Sequence, residues 1–234
     1  MKISRSSQIK STFVLTANEI KKIHSLIKNY CGNVNMKIHC KDDLIREYND
    51  VEELLEYENM KDKEIISMSF SSFGRDQYID RIVSLSFESQ RYSNVYISIE
   101  GAEDETIKLN EKIHERFEAL RPWYSIFSEI EFIYVTFGIF FTLILLIILM
   151  SILGQMKQDE LASTRYSFSS GFITASIPMV LGFLLNRLKK IIFPLSTFAI
   201  NQGEKRFKNY EDFRKIFLGG LIVSILGSII LSFM

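Results

Sequence analysis

The sequence contains few of the residues on which catalytic and metal sites depend. Its 234 residues include two cysteines, three histidines and one tryptophan. His24, His39 and His114 have no serine or cysteine motif around them that would supply a nucleophile. Cys31 and Cys40 are too few for a disulfide framework and are typical of buried thiols in a reducing compartment. We therefore expect no catalytic residues, no metal ligands and no cofactor, and we predict that the chain is not an enzyme.

The first 131 residues also lack an uncharged apolar run of membrane-spanning length, so no N-terminal signal peptide is predicted. Residues 132–234 contain ten Lys or Arg and five Asp or Glu, which leaves 18 and 23 for residues 1–131. An acidic first half followed by a basic second half is typical of a soluble domain that precedes basic loops near anionic lipid. We expect residues 1–121 to form a cytosolic sensor or regulatory domain.

The soluble part has the patterns of an α+β fold. Thr16 stands three residues before Glu19, a capping-box arrangement that starts a helix, and Gly32 can end it. Further helices are predicted at 51–57 and 103–120. An extended segment and alternating apolar residues predict about five strands, at 11–16, 34–40, 66–70, 83–87 and 95–99. The fold class predicted is thus an α+β cytosolic domain, with about five strands and three helices, followed by an α-helical membrane domain.

The strongest membrane signal is residues 132–153, which are 22 residues without a formal charge. A helix of that length crosses the hydrocarbon core of a bilayer. Pro122 ends any preceding helix, and Trp123 and Tyr124 place aromatic rings where headgroups would lie. We predict an interfacial junction at 122–131, with these two aromatic residues as interfacial anchors.

The transmembrane domain predicted at 132–234 has two or three transmembrane helices. Residues 216–234 are again uncharged, whereas 171–192 is interrupted by Pro178 and by basic residues, and is predicted to be a span, a re-entrant hairpin or an interfacial helix. Residues 186–215 carry eight Lys or Arg against three acids, so this loop is expected to be cytosolic. Three spans would place the C-terminus outside. With two spans, the middle segment would lie on the cytosolic side.

Small and hydroxyl residues recur every four positions in the apolar segments. This spacing keeps one helix face small, which suits close helix packing or the lining of a narrow pore. Two or three helices per chain can enclose a pore only in a homo-oligomer. The predicted pore or packing residues are Gly220, Ser224, Ser228, Ser232, Thr174 and Gly182.

A second group of candidate site residues is basic. These residues are explained either as topology determinants near anionic lipid or as a cationic collar that holds an anionic ligand such as an oligonucleotide. The possible ligand contacts are Arg187, Lys189, Lys190, Lys205, Arg206 and Lys208.

The order of the parts resembles a group of bacterial membrane proteins encoded beside antiviral defence genes. The resemblance rests on the small α/β domain, the Pro122-Trp123-Tyr124 junction, the segment from Phe193 to Ile200 (FPLSTFAI), and a basic stretch before the last span. It departs from the group's pattern in that an Ile-Gly pair is expected after the second phenylalanine, whereas here Ile200 is followed by Asn201-Gln202-Gly203. The resemblance implies a Hailong-type effector: a homo-oligomeric channel in the inner membrane, held shut by a nucleotide-derived ligand from a partner nucleotidyltransferase, which opens during phage infection and depolarises the cell in an abortive response.

Two functional hypotheses follow. The first is a channel or pore-forming effector gated through its cytosolic domain, and the second is a non-conducting membrane adaptor that recruits a cytosolic partner. An adaptor needs only one anchor, so the additional span and the small-residue stripes favour the channel. A membrane enzyme or a proton-coupled transporter is disfavoured, because the uncharged segments 132–153 and 216–234 contain no Asp, Glu, His, Lys or Arg.

Overall fold

The structure is a computed structural model that describes residues 2–75, 80–89, 94–152 and 168–232. The chain divides into two compact units: one consists of Met1–Ser125 with Pro194–Met234, and the other of Ile126–Phe193. The C-terminal segment thus belongs to the same unit as the N-terminal domain. The sequence had placed all of 132–234 in one membrane domain.

The first unit opens with two strands and a capped helix. Strands β1 (Lys2–Lys10) and β2 (Phe13–Thr16) precede helix α1 (Ala17–Cys31). The backbone N–H of Glu19 donates to Thr16 Oγ1 at 3.3 Å, and Gly32 ends the helix at φ 97°. The predicted cap and the predicted end of this helix are both confirmed.

A six-stranded antiparallel sheet forms the body of this unit. It contains β1, β3 (Val34–Cys40), β4 (Ile45–Tyr48), β5 (Ile65–Arg75), β6 (Asp80–Glu88) and β7 (Asn94–Ala102), in the order β1-β7-β6-β5-β3-β4. Between the strands lie helices α2 (Val51–Leu55) and α3 (Glu103–Leu120) and a 3₁₀ turn at Lys61–Lys63. The last strand, β8 (Ser196–Ala199), pairs in parallel with β2 in a separate two-stranded sheet.

The predicted α+β domain is confirmed, but the expected number of strands is wrong: the described residues form eight strands rather than about five. Strand β1 was missed because most of its side chains are polar and exposed, so it lacks an apolar period. Strands β4 and β8 were missed because each has only four residues and neither has buried side chains at alternate positions. Short and polar strands are held by pairing with neighbours rather than by their own pattern.

The core lies on one face of the sheet, beneath α1 and α3. Along β3 the side chains of Val34, Met36, Ile38 and Cys40 are buried, while those between them are half-buried or exposed. The same alternation on β5, β6 and β7 turns Phe70, Leu85 and Ile97 toward the helices. The opposite face is rich in exposed or half-buried serines, including Ser71, Ser84 and Ser98.

The second unit contains two long helices, α5 (Phe132–Ile152) and α6 (Phe168–Ile192), which follow the short helix α4 (Ser125–Glu129). Asn186 Oδ1 accepts from the N–H of Phe132 at 2.9 Å, and Lys189 Nζ donates to the carbonyl of Ile130 at 2.8 Å. Helix α6 continues through Pro178. Residues 171–192 therefore form one continuous helix, and the re-entrant hairpin that was one of the three predicted arrangements is wrong.

Helix α7 (Gln202–Ser232) follows β8 and contains the last hydrophobic segment. In the part of the chain that the structure describes, this is the one helix long and apolar enough to cross a membrane, over Gln202–Leu231, and Phe132–Leu146 is a shorter apolar stretch. The segment 186–215 differs from the expected loop, because it comprises the end of α6, β8 and the first half of α7.

Candidate functional site

The candidate site is the base of α7, where the helix joins the α+β domain. Strand β8 inserts beside β2, with Phe13 opposite Ser196 and Thr16 opposite Ala199. The N–H of Phe13 donates to the carbonyl of Leu195 at 3.1 Å, and the rings of Phe13 and Phe198 meet edge to face at 5.8 Å. Because Phe198 and Ile200 belong to the hydrophobic core, the residues that lead into α7 are part of the domain.

Asn59 fixes this segment from within the core. Its side chain is 1% exposed, its Nδ2 donates to the carbonyl of Phe198 at 2.8 Å, and its Oδ1 accepts from the N–H of Ile65 at 3.0 Å. A Cβ on Gly203 would lie 2.4 Å from Asn59 Nδ2, so only glycine allows the first turn of α7 to approach this closely. One amide therefore links β8 to the start of β5.

Two further side chains hold the first turns of α7. Asn201 takes a left-handed conformation at φ 46°, and its Nδ2 donates to the carbonyls of Leu55 and Tyr57 at 2.7 and 2.9 Å. Arg206 donates to the carbonyl of Asn59 at 2.8 Å and pairs with Glu64 at 3.3 Å. The helix starts from a set of hydrogen bonds to the α2–β5 connection.

Arg214 lies at the point where the polar half of α7 ends. Its side chain is fully buried, and its guanidinium carbon lies 4.2 Å from the ring centre of Tyr124 and 5.2 Å from that of Phe207. Burial raises the pKa of Tyr124, with the positive charge of Arg214 acting in the opposite direction, so the phenol is neutral at physiological pH. A desolvated cation between two aromatic faces is strongly held. Arg214 therefore joins α7 to the segment that follows α3.

The apolar half of α7 has a different environment. Most of its large side chains that the structure describes are exposed, among them Ile216 at 76% and Leu231 at 74%. A Cβ at Gly219, Gly220 or Gly227 would have no atom within 4 Å beyond the nearby backbone of the helix itself. This half presents an apolar surface with small-residue gaps.

The predicted pore or packing residues divide between the two units. Gly220, Ser224 and Ser228 are exposed on α7, where Ser228 Oγ donates to the carbonyl of Ser224 at 2.9 Å. Gly182 is buried on α6, where an added Cβ would lie 2.6 Å from Thr136 Oγ1 and 3.0 Å from the Cα of Ile133. Gly182 is therefore a close-packing position between α5 and α6. The side chains of Thr174 and Ser232 lie outside the described residues.

The predicted basic ligand contacts also lie in different units. Arg187, Lys189 and Lys190 are on α6, and Lys205, Arg206 and Lys208 are on α7. Arg206 pairs with Glu64 as described above, and Lys208 pairs with Glu204 at 2.9 Å. Arg187 lies over the ring of Phe183 at 5.5 Å. Several of these cations thus already have partners within the chain.

The two predicted interfacial anchors have different positions. Trp123 is 50% exposed, and its role as an interfacial anchor stays a prediction. Tyr124 is instead fully buried beneath Arg214. Its partner lies 90 positions later in the chain, so no local pattern could reveal this contact.

The sequence analysis missed Asn59, the hydrogen bonds of Asn201 and the packing role of Arg214, which it counted only as one of the eight basic residues of 186–215. One signal was present: Phe207 and Arg214 are seven residues apart, which places them on one helix face. Among the described residues, no group of three or more His, Cys, Asp or Glu could hold a metal ion.

No known protein family matches the chain, and no significant match was found among curated proteins or solved structures.

Proposed function

We propose that the chain is a channel-forming effector of the bacterial inner membrane, which assembles as a homo-oligomer and is gated through a cytosolic α+β domain. The resemblance noted in the sequence adds a nucleotide-derived ligand from a partner nucleotidyltransferase as the gating signal, and anti-phage defence by depolarisation as the role. The two or three transmembrane helices of this proposal are α7, α5 and, in the three-span arrangement, α6.

The observation that carries the proposal is the continuity between the domain and α7. The helix begins in residues held by Asn59 and β2 and runs through buried Arg214 into its apolar half. A rigid helix transmits a displacement at its base to its far end, whereas a flexible linker would absorb it. A domain that only needs to be tethered has no need for such a base.

The length and the small-residue surface of the apolar half of α7 support the same proposal. The 19 uncharged residues from Ile216 to Met234 would span about 28 Å as a helix, close to the hydrocarbon thickness of a bilayer. A single helix cannot enclose a pore, so conduction requires several copies, and the open positions at Gly220 and Gly227 suit close helix approach.

The test is membrane potential, read with a voltage-sensitive dye in bacteria that express the full chain, first alone and then with the proposed nucleotidyltransferase. We expect depolarisation with the chain alone and its relief by the partner. Arg214→Met should reduce depolarisation while the protein still reaches the membrane, and Lys215→Met should not. An unchanged potential in both conditions, including phage challenge, would overturn the channel.

A non-conducting membrane adaptor is the second candidate, and one observation favours it. The sheet face opposite α1 and α3 carries exposed Phe73 and Tyr96 among small serine side chains. A flat face of this kind can receive a protein partner without rearrangement. Unchanged potential together with a stable cytosolic partner would establish this reading.

A further inference from the structure

A cavity of about 640 Å³ lies in the α+β domain beside the C-terminal end of α1. Its walls come from the last two turns of α1, the α1–β3 turn and the ends of β3, β5 and β6. The lining residues that carry chemistry are His24, Lys28, Asn33, Asn35, Asn49 and Phe73. The volume falls in the range of small-molecule sites in proteins.

The fold itself creates this opening. Strand β3 begins at Val34, opposite Ser72, so residues Phe73 to Arg75 of β5 extend past the end of their neighbour. Gly74 lies so close to α1 that an added Cβ would be 2.4 Å from the carbonyl oxygen of Cys31. The end of α1 is thereby fixed against β5, and the space beside it is bounded by backbone.

The polar lining is mostly neutral and rich in amides. Asn35 Nδ2 donates to Asn49 Oδ1 at 3.2 Å, whereas Asn35 Oδ1 is buried and has no hydrogen-bond partner among the described residues. A buried acceptor without a donor is unfavourable, so this oxygen favours a ligand that brings a donor such as a hydroxyl. Ser71 and Ser84 add hydroxyls to the same lining.

The charge of the lining is small and positive. Lys28 is exposed and forms no ion pair within the part of the chain that the structure describes, and the lining contains no carboxylate. Burial, together with the nearby Lys28 ammonium, lowers the pKa of His24, with Asp50 acting in the opposite direction, so the imidazole is neutral at pH 7. One permanent positive charge thus faces the cavity.

The remaining wall is apolar. Phe73 is 60% exposed, and Val34, Ile82 and Val83 lie beside it. An exposed ring gives a flat surface for the carbon face of a ligand ring, while neighbouring amides bind its polar edge.

We infer that this cavity binds a hydroxyl-rich small molecule with one anionic group, of the class of sugar phosphates and sugar acids. Lys28 holds the anionic group, the amides of Asn35 and Asn49 bind hydroxyls, and Phe73 covers the ring. As a regulatory site it rests on the function proposed above, whereas the binding itself does not depend on channel activity.

The test is calorimetric titration of the full chain in detergent with four probes: glucose 6-phosphate, glucuronate, glucose and inorganic phosphate. We expect glucose 6-phosphate or glucuronate to bind at least tenfold more tightly than glucose and phosphate. Binding of either anionic sugar supports the site and identifies phosphate or carboxylate as the anionic group. No heat from either up to about 10 mM, or equal binding of glucose or of phosphate alone, would overturn it.

Substitutions of two lining residues test whether the ligand binds in this cavity. Lys28→Met should weaken the anionic sugar by about tenfold or more, because a charge-assisted hydrogen bond is lost. Asn35→Leu should weaken both the anionic sugar and glucose. Lys108→Met removes a lysine on α3 outside the lining and should leave affinity unchanged.

Unchanged affinity in both Lys28→Met and Asn35→Leu, with an unaltered melting temperature, would place any binding elsewhere and overturn the assignment. Because the readout is binding, this proposal can fail while depolarisation persists, and the reverse also holds.

Discussion

The two halves of α7 are parts of one helix in opposite environments. In the first half, Gly203 and Arg214 are buried in the first unit, and Asn201 and Arg206 hydrogen-bond to its backbone. In the second half, most of the described apolar side chains are exposed, among them Ile216, Val223 and Leu231. The boundary falls within two residues, between Arg214 and Ile216.

This difference shows which interactions stabilise each half of α7. The first half is stabilised by contacts within the chain, so its position follows the α+β domain. The second half exposes an apolar surface that water disfavours, so it requires lipid or further copies of the helix. If the two halves are energetically separate, a substitution in one half leaves the stability of the other unchanged.

Asn59→Ala should have the largest effect on the stability of the first unit. It removes the partners of two buried backbone groups, the carbonyl of Phe198 and the N–H of Ile65. Each such loss costs about 1–3 kcal/mol, so we expect a destabilisation of about 2–6 kcal/mol. The melting temperature of the full chain in detergent, followed by the fluorescence of Trp123, should fall by roughly 5–15 °C. Asn29→Ala, at an exposed position on α1, is the control, and equal melting temperatures would contradict the role of Asn59.

Arg214→Met should have the next largest effect. Methionine keeps much of the side-chain length but removes the cation between Tyr124 and Phe207, a contribution of about 2 kcal/mol when desolvated. The neighbouring change Lys215→Met breaks only an exposed pair with Glu211 and should cost less than about 1 kcal/mol. If the two variants melted at the same temperature, Arg214 would not join α7 to the domain.

The sequence predicted those parts of the fold that have a local pattern. The cap at Thr16, the stop at Gly32 and the alternation of β3 involve residues a few positions apart, and all three are confirmed. The apolar segment after Arg214 was recognised by composition alone.

The base of α7 could not be predicted in the same way. Asn59 bonds to a residue 139 positions later, and β8 is a four-residue strand that pairs with β2. Local propensity carries no information about such partners, because a short strand owes its conformation to the strand beside it. A polar residue such as Asn59 would ordinarily be assigned to a surface turn, and only the closed core shows what it bonds to.

Glu64→Gln should have a small effect on the same base. The pair between Arg206 and Glu64 spans 3.3 Å with side chains 26% and 48% exposed, so its contribution should be below about 1 kcal/mol. Arg206 keeps its bond to the carbonyl of Asn59, which holds the helix in place. The melting difference between variant and parent should vanish in 1 M salt, because an exposed pair is screened. A loss of 2 kcal/mol or more in the free energy of unfolding at high salt would contradict this, because it would show that the Arg206–Glu64 pair stabilises the domain far more than an exposed pair can.

Gly220→Leu should leave the melting of the first unit unchanged, because Gly220 lies in the exposed half of α7, where an added Cβ would meet no atom within 4 Å beyond the nearby backbone of the helix itself. Its effect should appear in assembly, since a leucine on the small-residue face would hold neighbouring helices apart. We expect a smaller particle in detergent, measured by light scattering after gel filtration. Gly219→Leu adds the same bulk about 100° around the helix, off the line of Gly220, Ser224 and Ser228, and should leave the particle size unchanged. Unchanged size in Gly220→Leu would remove this face from the assembly, and a lowered melting temperature would show that the two halves of α7 are not separate after all.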